Sequence, residues 1–185
     1  MSNMTIKQLK EIQSLLSDAG HDYQVEIDDG KVLIMGPSDI TSSEVSFLFS
    51  RSLGNWIYPR RLGRVFDSAG GFILPNSDVK APDISFVQAA RLKRTVRSFA
   101  KLVPDLVVEV KSQSDRVKLI EEKIRLFLSL GAKIGILIDP DQKNVIIYRP
   151  EATPIILRNQ DVLTLPDLLP GWELPINEIW PPEFE

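Results

Sequence analysis

The apolar run 134–138, Ile-Gly-Ile-Leu-Ile, constrains the fold most strongly because it contains no polar side chain. A strand that is apolar on both faces has to be covered on both faces, as the inner strands of α/β sheets are. Helical periodicity precedes and follows the strand patterns in the middle of the chain. The sequence therefore predicts a domain of the α/β or α+β class, with a central sheet between helices.

Periodicity and turn residues divide the rest of the chain into elements. We predict a helix over 5–19, with Thr5 as its N-cap and Gly20 as its end, and a second helix over 41–53, before Gly54. We also predict a helix over 115–130, a β-hairpin over 23–35, and strands around 64–66, 71–74, 79–87, 105–111, 133–138 and 144–148.

The length and composition indicate a single domain, residues 1–185. A chain of 185 residues that is 43% hydrophobic is long enough for one packed core and short for two. Within this domain we expect an N-terminal helix and hairpin over 1–36, a core over 37–150, and a proline-rich tail over 151–185 that packs along the surface.

Residues that the chain lacks, or holds only once, exclude several functions. With no cysteine, there can be no disulfide, thiolate zinc site or cysteine nucleophile. The single histidine, His21, suits a surface or helix-capping role, so a metal must be held mainly by oxygen, as Mg²⁺, Mn²⁺ and Ca²⁺ are. No run of about 18 apolar residues and no signal-peptide pattern occurs, so we expect a cytoplasmic protein with no membrane partner.

The stretch PDLVVEVKSQSD, residues 104–115, combines an apolar strand with charged side chains. Alternation places Asp105, Glu109 and Lys111 on one face of this strand. Residues two apart on one face are separated by roughly 6.6 Å, so Glu109 and Lys111 can converge on one ligand. Asp105 lies roughly 13 Å from Glu109 along the strand, too far for the two carboxylates to share a metal ion easily.

A second Pro-Asp pair can supply the missing carboxylate. Asp83 follows Pro82 and opens another apolar strand, and neighbouring strands can bring Asp83 and Glu109 within reach of one divalent ion. An ordinary structural interpretation also fits, because Pro-Asp is a common turn element and an exposed Glu-x-Lys needs no function. These residues alone leave both interpretations open.

Two predicted helices place further polar side chains near the interior. On a helical wheel of 115–130, Lys123 falls inside the apolar arc, where its ammonium group must reach solvent or meet an acidic partner. In the helix over 41–53, the wheel turns Glu44 inward. A capping box formed by Thr41 and Glu44 explains this glutamate equally well, and the two roles can coexist.

Taken in order, these blocks resemble a known nuclease signature. Pro82-Asp83 and then Glu109-x-Lys111, preceded by Glu44 on a helix, resemble the PD-(D/E)XK signature. The series that includes GGFILPNSDVKAPDISFV, PDLVVEVKSQSD, IGILIDPDQKNVIIYRP and LPDLLPGWELPI is similar to the Uma-two family of restriction-endonuclease-like proteins, also classed as a domain of unknown function. Many members lack a lysine two residues after the glutamate, whereas this chain has one. The resemblance implies a mixed central sheet flanked by helices, here with an extra N-terminal helix and β-hairpin.

The resemblance also implies a mechanism. Asp83, Glu109 and the backbone carbonyl of Val110 would hold Mg²⁺ (or Mn²⁺), a hard cation that prefers oxygen ligands. Lys111 would orient the attacking water, Glu44 would bind a second ion or a metal-bound water, and Lys123 would support the site. The implied reaction is endonucleolytic hydrolysis of phosphodiester bonds in DNA, leaving a 5′-phosphate.

The sequence leaves more than one partner and function open. The basic segment 88–101, also a candidate for a helix, offers contacts to a phosphate backbone, although a solvated surface helix explains it too. Its cations are Arg91, Lys93, Arg94, Arg97 and Lys101. Cleavage of both strands of a duplex would favour a homodimer. Two other functions fit: a nuclease-fold binding module for nucleic acid or protein with little hydrolysis, and a metal-dependent hydrolase of a small phosphate ester.

Overall fold

The computed structural model describes residues 4–21 and 23–184, so the predicted domain limits at residues 1 and 185 lie outside the described ranges. The elements are α1 (Ile6–Asp18), β1 (Gln24–Asp28), β2 (Lys31–Met35), α2 (Ile40–Arg60), β3 (Gly63–Asp67), β4 (Phe72–Ile73), β5 (Val79–Lys80), β6 (Ile84–Gln88), β7 (Leu106–Val110), α3 (Val117–Ser129), β8 (Ile134–Asp139), β9 (Asn144–Tyr148), β10 (Ile155–Arg158), β11 (Val162–Leu165), β12 (Leu169–Pro175) and a 3₁₀ helix (Ile176–Ile179). The structure confirms the first and third predicted helices as α1 and α3, and the predicted hairpin as β1 and β2. It also confirms three predicted strands as β7, β8 and β9, with small shifts at the ends of these elements.

The main sheet lies at the centre of the molecule and, among the described residues, has the strand order β10-β9-β8-β7-β6-β3. β7 and β8 are parallel and joined through α3, whereas the other neighbouring strands are antiparallel. All residues of β8 are buried, as the apolar run 134–138 predicts. One face of the sheet packs against α3 through Phe127, and the other packs against α2 through Phe49. The predicted mixed sheet between helices is therefore confirmed.

A smaller sheet carries α1. Within the described ranges its order is β2-β1-β5-β4, and α1 begins at a capping box formed by Thr5. Leu9 of α1 packs against Val25 and Ile27 of β1. Because successive side chains of a strand point to opposite faces, Glu26 points away from α1.

The start of α2 and its orientation differ from the prediction. Asp39, not Thr41, is the N-cap, and its carboxylate accepts the backbone N–H of Ser42 at 3.0 Å. The side chains that α2 buries in the core are Val45, Phe49, Leu53 and Ile57. This stripe leaves Glu44 exposed, so the prediction that Glu44 faces inward is wrong.

The end of α2 also lies further along the chain than the prediction placed it. The helix continues through Gly54 to Arg60 and ends where Arg61 adopts a φ of 54°. Burial of an apolar stripe along the helix outweighs the roughly 1 kcal/mol that an internal glycine costs. No helix in the described part of the chain, α2 included, is long and apolar enough to cross a membrane.

Residues 79–87 form two short strands rather than one predicted strand. β5 belongs to the smaller sheet and β6 to the main sheet, so the chain crosses between the sheets at residues 81–83. Pro82 has no backbone N–H to continue a ladder, which favours a break at this point. Asp83 is thereby placed where the two sheets meet.

The basic segment 88–101 does not form a helix in the structure, contrary to its predicted candidacy. The guanidinium group of Arg64 donates to the backbone carbonyl of Leu92 at 3.1 Å and to that of Lys93 at 2.9 Å. In a helix, these two carbonyl oxygens would accept backbone N–H groups of the following turn. Because they accept from Arg64 instead, the contacts favour the observed turns and bends.

The C-terminal residues contribute to the core, which differs from the expectation of a surface tail. β10 extends the main sheet, while β11 and β12 pair with each other. Buried side chains from this region are Leu163, Leu165, Leu168, Leu169, Trp172, Leu174, Ile176 and Ile179. They pack on the same core cluster as α2, so the predicted boundary at residue 151 does not separate core from surface.

Candidate active site

Two antiparallel strands bring the predicted carboxylates together at one end of the main sheet. Ile84 of β6 lies opposite Val108 of β7, so one further step of the register brings Asp83 opposite Glu109. Oδ2 of Asp83 accepts the backbone N–H of Val110 at 2.7 Å. This contact ties Asp83 to the end of the strand that carries Glu109.

Glu109 lies at the interface between the main sheet and α3. Its side chain is buried, with 7% of its surface exposed, and points to the same face of β7 as Val107, which packs near Phe127. The carboxylate oxygen Oε1 is buried, and its contact with Nζ of Lys123 at 3.0 Å is an ion pair rather than an aligned hydrogen bond. A buried carboxylate oxygen that lacks an aligned hydrogen bond is costly, so this atom is a candidate ligand for a cation.

Lys123 of α3 meets an acidic partner, one of the two outcomes that its position on the helical wheel left open. Its Nζ lies 3.0 Å from Oε1 and 3.2 Å from Oε2 of Glu109. The side chain is largely buried, with 21% of its surface exposed. The inward position that the wheel predicts for Lys123 is confirmed.

Glu26 of β1 is a third carboxylate at this place, and the sequence analysis did not identify it. Its side chain is 2% exposed, and Oε1 lies 3.3 Å from Nζ of Lys123. The same oxygen accepts the backbone N–H of Ala81 at 2.9 Å. The only signal in the sequence is a charged residue between the apolar Val25 and Ile27, and that pattern does not reveal which element covers the charged face.

Lys80 completes a group of side chains that we call the charge cluster. Its Nζ lies 3.6 Å from Oε2 of Glu26 and 2.5 Å from Oδ1 of Asp28. The charge cluster consists of Glu26, Asp28, Lys80, Asp83, Glu109 and Lys123. The charge cluster therefore contains four carboxyl groups and two ammonium groups.

The environment shifts the pKa values of three members of the charge cluster. Burial raises the pKa of Glu109 to about 8, although the ammonium group of Lys123 opposes the shift. Burial also raises the pKa of Asp83, against the effect of the Val110 N–H. Burial disfavours the charged form of Lys123, but the surrounding carboxylates outweigh burial and raise the pKa of Lys123 above its usual value. Such shifts are typical of functional sites.

Lys111 directly follows the end of β7, but its ammonium group contacts Asp141 and not Glu109. Its Nζ lies 2.6 Å from Oδ2 of Asp141, in the turn between β8 and β9, and 3.1 Å from the carbonyl of Ser112. The hydrogen bond to Asp141 is the largest cause of a raised pKa for Lys111. The negative charges of Asp141, Asp139 and Asp115 raise this pKa further. The structure thus places Lys123, not Lys111, against Glu109.

Glu44 and the basic segment lie apart from these contacts. Glu44 is exposed and, among the described residues, makes no ion pair or side-chain hydrogen bond. Arg91 pairs at 3.0 Å with Asp105, a carboxylate that is fully buried and also lies 3.2 Å from Nζ of Lys133. Arg91 therefore holds the start of β7, at the end opposite Glu109. The other cations of the segment, Lys93, Arg94, Arg97 and Lys101, are exposed.

An open cavity adjoins the charge cluster. It has a volume of about 420 Å³, and Glu26 and Lys80 are among the residues that line it. Tyr23 and Phe99 form other parts of its wall. Cavities of this size hold small ligands or parts of longer ones.

The residues at the strand ends fit a magnesium ion held by few protein ligands. Asp83 and Glu109 supply carboxylate oxygens, including Oε1 of Glu109, which pairs with Lys123 in this structure. In the part of the chain that the structure describes, no three His, Cys, Asp or Glu side chains are grouped closely enough to hold an ion by themselves. Magnesium tolerates such a site because it keeps several water molecules and also binds substrate phosphates.

The mixed central sheet flanked by helices makes this a protein of the restriction-endonuclease-like fold class. The chain belongs to the Uma2 family, described as "Putative restriction endonuclease", whose family model matches residues 9–177. The resemblance found in the sequence is thereby confirmed. Among proteins with curated descriptions, none matches the chain.

The solved structures that match this chain include a nuclease crystal structure and a DNA complex. The crystal structure of a putative nuclease belonging to DUF820 from Anabaena variabilis has a TM-score of 0.75 and 22% sequence identity, over 84% of this chain and 88% of that chain. This similarity shows a common fold. The structure of a DrdV-DNA complex has a TM-score of 0.41 and 12% identity, over 80% of this chain and 11% of that chain, which is too low to support an argument.

Proposed function

We propose that the protein is a metal-dependent endonuclease that hydrolyses phosphodiester bonds of DNA at Asp83, Glu109 and Lys123. The observation that carries the proposal is the placement of Glu109, buried and in contact with Lys123, opposite Asp83 at the ends of two paired strands. Membership of the Uma2 family supports the same reaction class. A binding module without hydrolysis has no need of converging carboxylates at this position.

The ion in this proposal is Mg²⁺ (or Mn²⁺), held by Asp83, Glu109 and the backbone carbonyl of Val110. When bound, such an ion makes a coordinated water more acidic and offsets negative charge on a phosphate. Asp83 is positioned for this task by the Val110 N–H, which orients its carboxylate. Glu109 is positioned by the β7 ladder on either side of it.

We assign the catalytic ammonium group to Lys123 because it is the lysine that contacts Glu109. A positive charge here would stabilise the charge that develops on a phosphate in the transition state. The partner of Lys111 is Asp141, which leaves Lys111 a supporting role for the turn between β8 and β9. Glu44, exposed in α2, would act only through a second ion or a metal-bound water at the edge of the site.

DNA as the substrate is proposed from the family and from charge. Lys93, Arg94, Arg97 and Lys101 are exposed cations that can contact a phosphate backbone, whereas Arg91 is engaged with Asp105. Cleavage of both strands of a duplex would favour two such sites, so a homodimer is part of the proposal.

The experiment that tests the proposal is cleavage of supercoiled and single-stranded DNA in Mg²⁺ and in Mn²⁺. We expect the wild type to cleave, Asp83→Asn and Glu109→Gln to cleave at least about 100-fold more slowly, and the matched control Glu122→Gln on the exposed side of α3 to equal the wild type. If the protein binds DNA but does not cleave it in either metal, this result would favour the binding module. Hydrolysis of a small phosphodiester without affinity for DNA would favour the small-ester hydrolase.

A further inference from the structure

The ammonium group of Lys123 lies where four oxygen atoms converge. Nζ is 3.0 Å and 3.2 Å from the two carboxylate oxygens of Glu109, 3.3 Å from Oε1 of Glu26 and 3.5 Å from the carbonyl oxygen of Ala81. An ammonium group has three N–H donors, fewer than the oxygens around it. The arrangement is one in which a cation is surrounded by oxygen, as a metal ion would be.

Lys123 can move its charged end without moving its backbone. α3 is fixed on the main sheet by Ile124 and Phe127, which are fully buried. The lysine side chain has four flexible carbon atoms and keeps 21% of its surface exposed. Its ammonium group can therefore shift between Glu109 and Glu26 while α3 stays in place.

The contacts of Glu26 hold its carboxylate where it can keep the ammonium group of Lys123 in position. Its Oε1 accepts the N–H of Ala81 at 2.9 Å, and its Oε2 lies 3.6 Å from Nζ of Lys80. Ala81 is two residues before Asp83, so Glu26 also fixes the segment that presents Asp83. The carboxylate of Glu26 thus has a defined orientation that does not depend on Lys123.

We propose that Lys123 competes with a divalent ion for Glu109, and that Glu26 is the positioning residue that holds the ammonium group once the ion has taken Glu109. The inference rests on the proposed function, because it concerns the same metal-binding carboxylates. Glu26 acts through Lys123 and is not itself a ligand of the ion. The competition keeps the buried carboxylate of Glu109 paired with a positive charge when no ion is bound.

The electrostatic consequences of this competition are specific. Loss of the Lys123 charge removes a cation that stands 3.0 Å from Glu109, so a divalent ion should bind more tightly. Loss of the Glu26 charge should confine the ammonium group to Glu109 and weaken binding of the ion. The part of the second effect that acts through Lys123 should be lost when Lys123 is absent.

The test is calorimetric titration of the protein with Mn²⁺, without DNA, at one fixed pH. We expect Lys123→Met to bind Mn²⁺ at least about tenfold more tightly than the wild type, and Glu26→Gln to bind it several-fold more weakly. In the Lys123→Met background, Glu26→Gln should weaken Mn²⁺ binding much less than it does in the wild type. Lys118→Met removes an exposed charge from the same helix and should leave the affinity unchanged.

Two results would overturn the inference. Unchanged or weaker Mn²⁺ binding by Lys123→Met would show that the lysine does not compete with the ion. If Glu26→Gln does not fold, the affinity of Lys123→Met is sufficient to decide the question. An equal loss in both backgrounds would show that Glu26 acts on the ion directly, as a ligand or through its charge, and not through Lys123. Failure of the proposed function is a separate result: the nuclease proposal fails if DNA is never cleaved even when the Mn²⁺ affinities respond as expected.

Discussion

Oε1 of Glu109 lies 3.0 Å from Nζ of Lys123, across the interface between strand β7 and helix α3. The two residues are held by different elements, and both are buried more deeply than charged side chains usually are. Because Asp83 and Glu26 adjoin the same pair, one contact connects the main sheet, the smaller sheet and α3.

The pH dependence of stability reports the burial of Glu109. Burial raises its pKa from 4.5 to about 8, so the folded protein retains a proton that the unfolded chain releases above about pH 4.5. The contribution of Glu109 to stability is therefore full at low pH and declines between pH 4.5 and about 8, by at most about 1.4 kcal/mol per pH unit.

Urea unfolding of the wild type and of Glu109→Gln in the presence of a chelator measures this decline. The difference in free energy of unfolding, wild type minus variant, should fall as the pH rises through that window. A difference that instead grows with pH would mean that the ion pair with Lys123 outweighs the cost of burial.

Two glycines should respond to alanine in opposite directions. A Cβ at Gly63 would stand 2.2 Å from the backbone carbonyl oxygen of Val87, which the strand ladder prevents from moving, so Gly63→Ala should destabilise by about 2 kcal/mol or more. A Cβ at Gly54 would have its nearest neighbour, in Tyr58, at 3.7 Å. Gly54→Ala should therefore stabilise α2 by about 0.5–1 kcal/mol. Thermal unfolding of both variants measures the difference, and equal effects would contradict the packing at β3.

Substitution of Asp105 should lower mainly stability, whereas substitution of Asp83 should lower mainly activity, although both aspartates follow a proline. Asp105 is fully buried and pairs with Arg91 and Lys133, so Asp105→Asn should cost about 3 kcal/mol of stability. Its remaining folded fraction should cleave DNA as the wild type does, because Asp105 lies at the far end of β7. Asp83→Asn should show the converse, a loss of cleavage with a smaller loss of stability. Denaturant titrations, with cleavage rates normalised to folded protein, measure both, and loss of cleavage by folded Asp105→Asn would contradict this assignment.

The sequence was sufficient to predict those parts of the site that depend on local periodicity. Strand alternation identified Glu109, the second Pro-Asp pair identified Asp83, and a helical wheel identified Lys123. The structure brings these three residues together, and their catalytic role is part of the proposal.

The features that depend on long-range packing could not be predicted from local patterns. Glu26 meets Lys123 only because the smaller sheet packs with the charged face of β1 toward α3, a choice that the hairpin sequence does not contain. Glu44 was placed inward because the wheel used an apolar arc that includes Phe47, which is exposed in the structure. The C-terminal strands were not predicted because β11 has only four residues and β12 contains Pro170 and Pro175, which are unfavourable in a strand.

The rate of DNA cleavage by Lys123→Met and by Lys111→Met, at saturating Mn²⁺ and compared with the wild type, tests the central claim most directly. The contacts of Lys123 with Glu109 predict a loss of about 100-fold or more for Lys123→Met. Because Lys111 pairs with Asp141, Lys111→Met should retain the wild-type rate within a few-fold. Abolished cleavage in Lys111→Met, with cleavage retained in Lys123→Met, would contradict the proposed site.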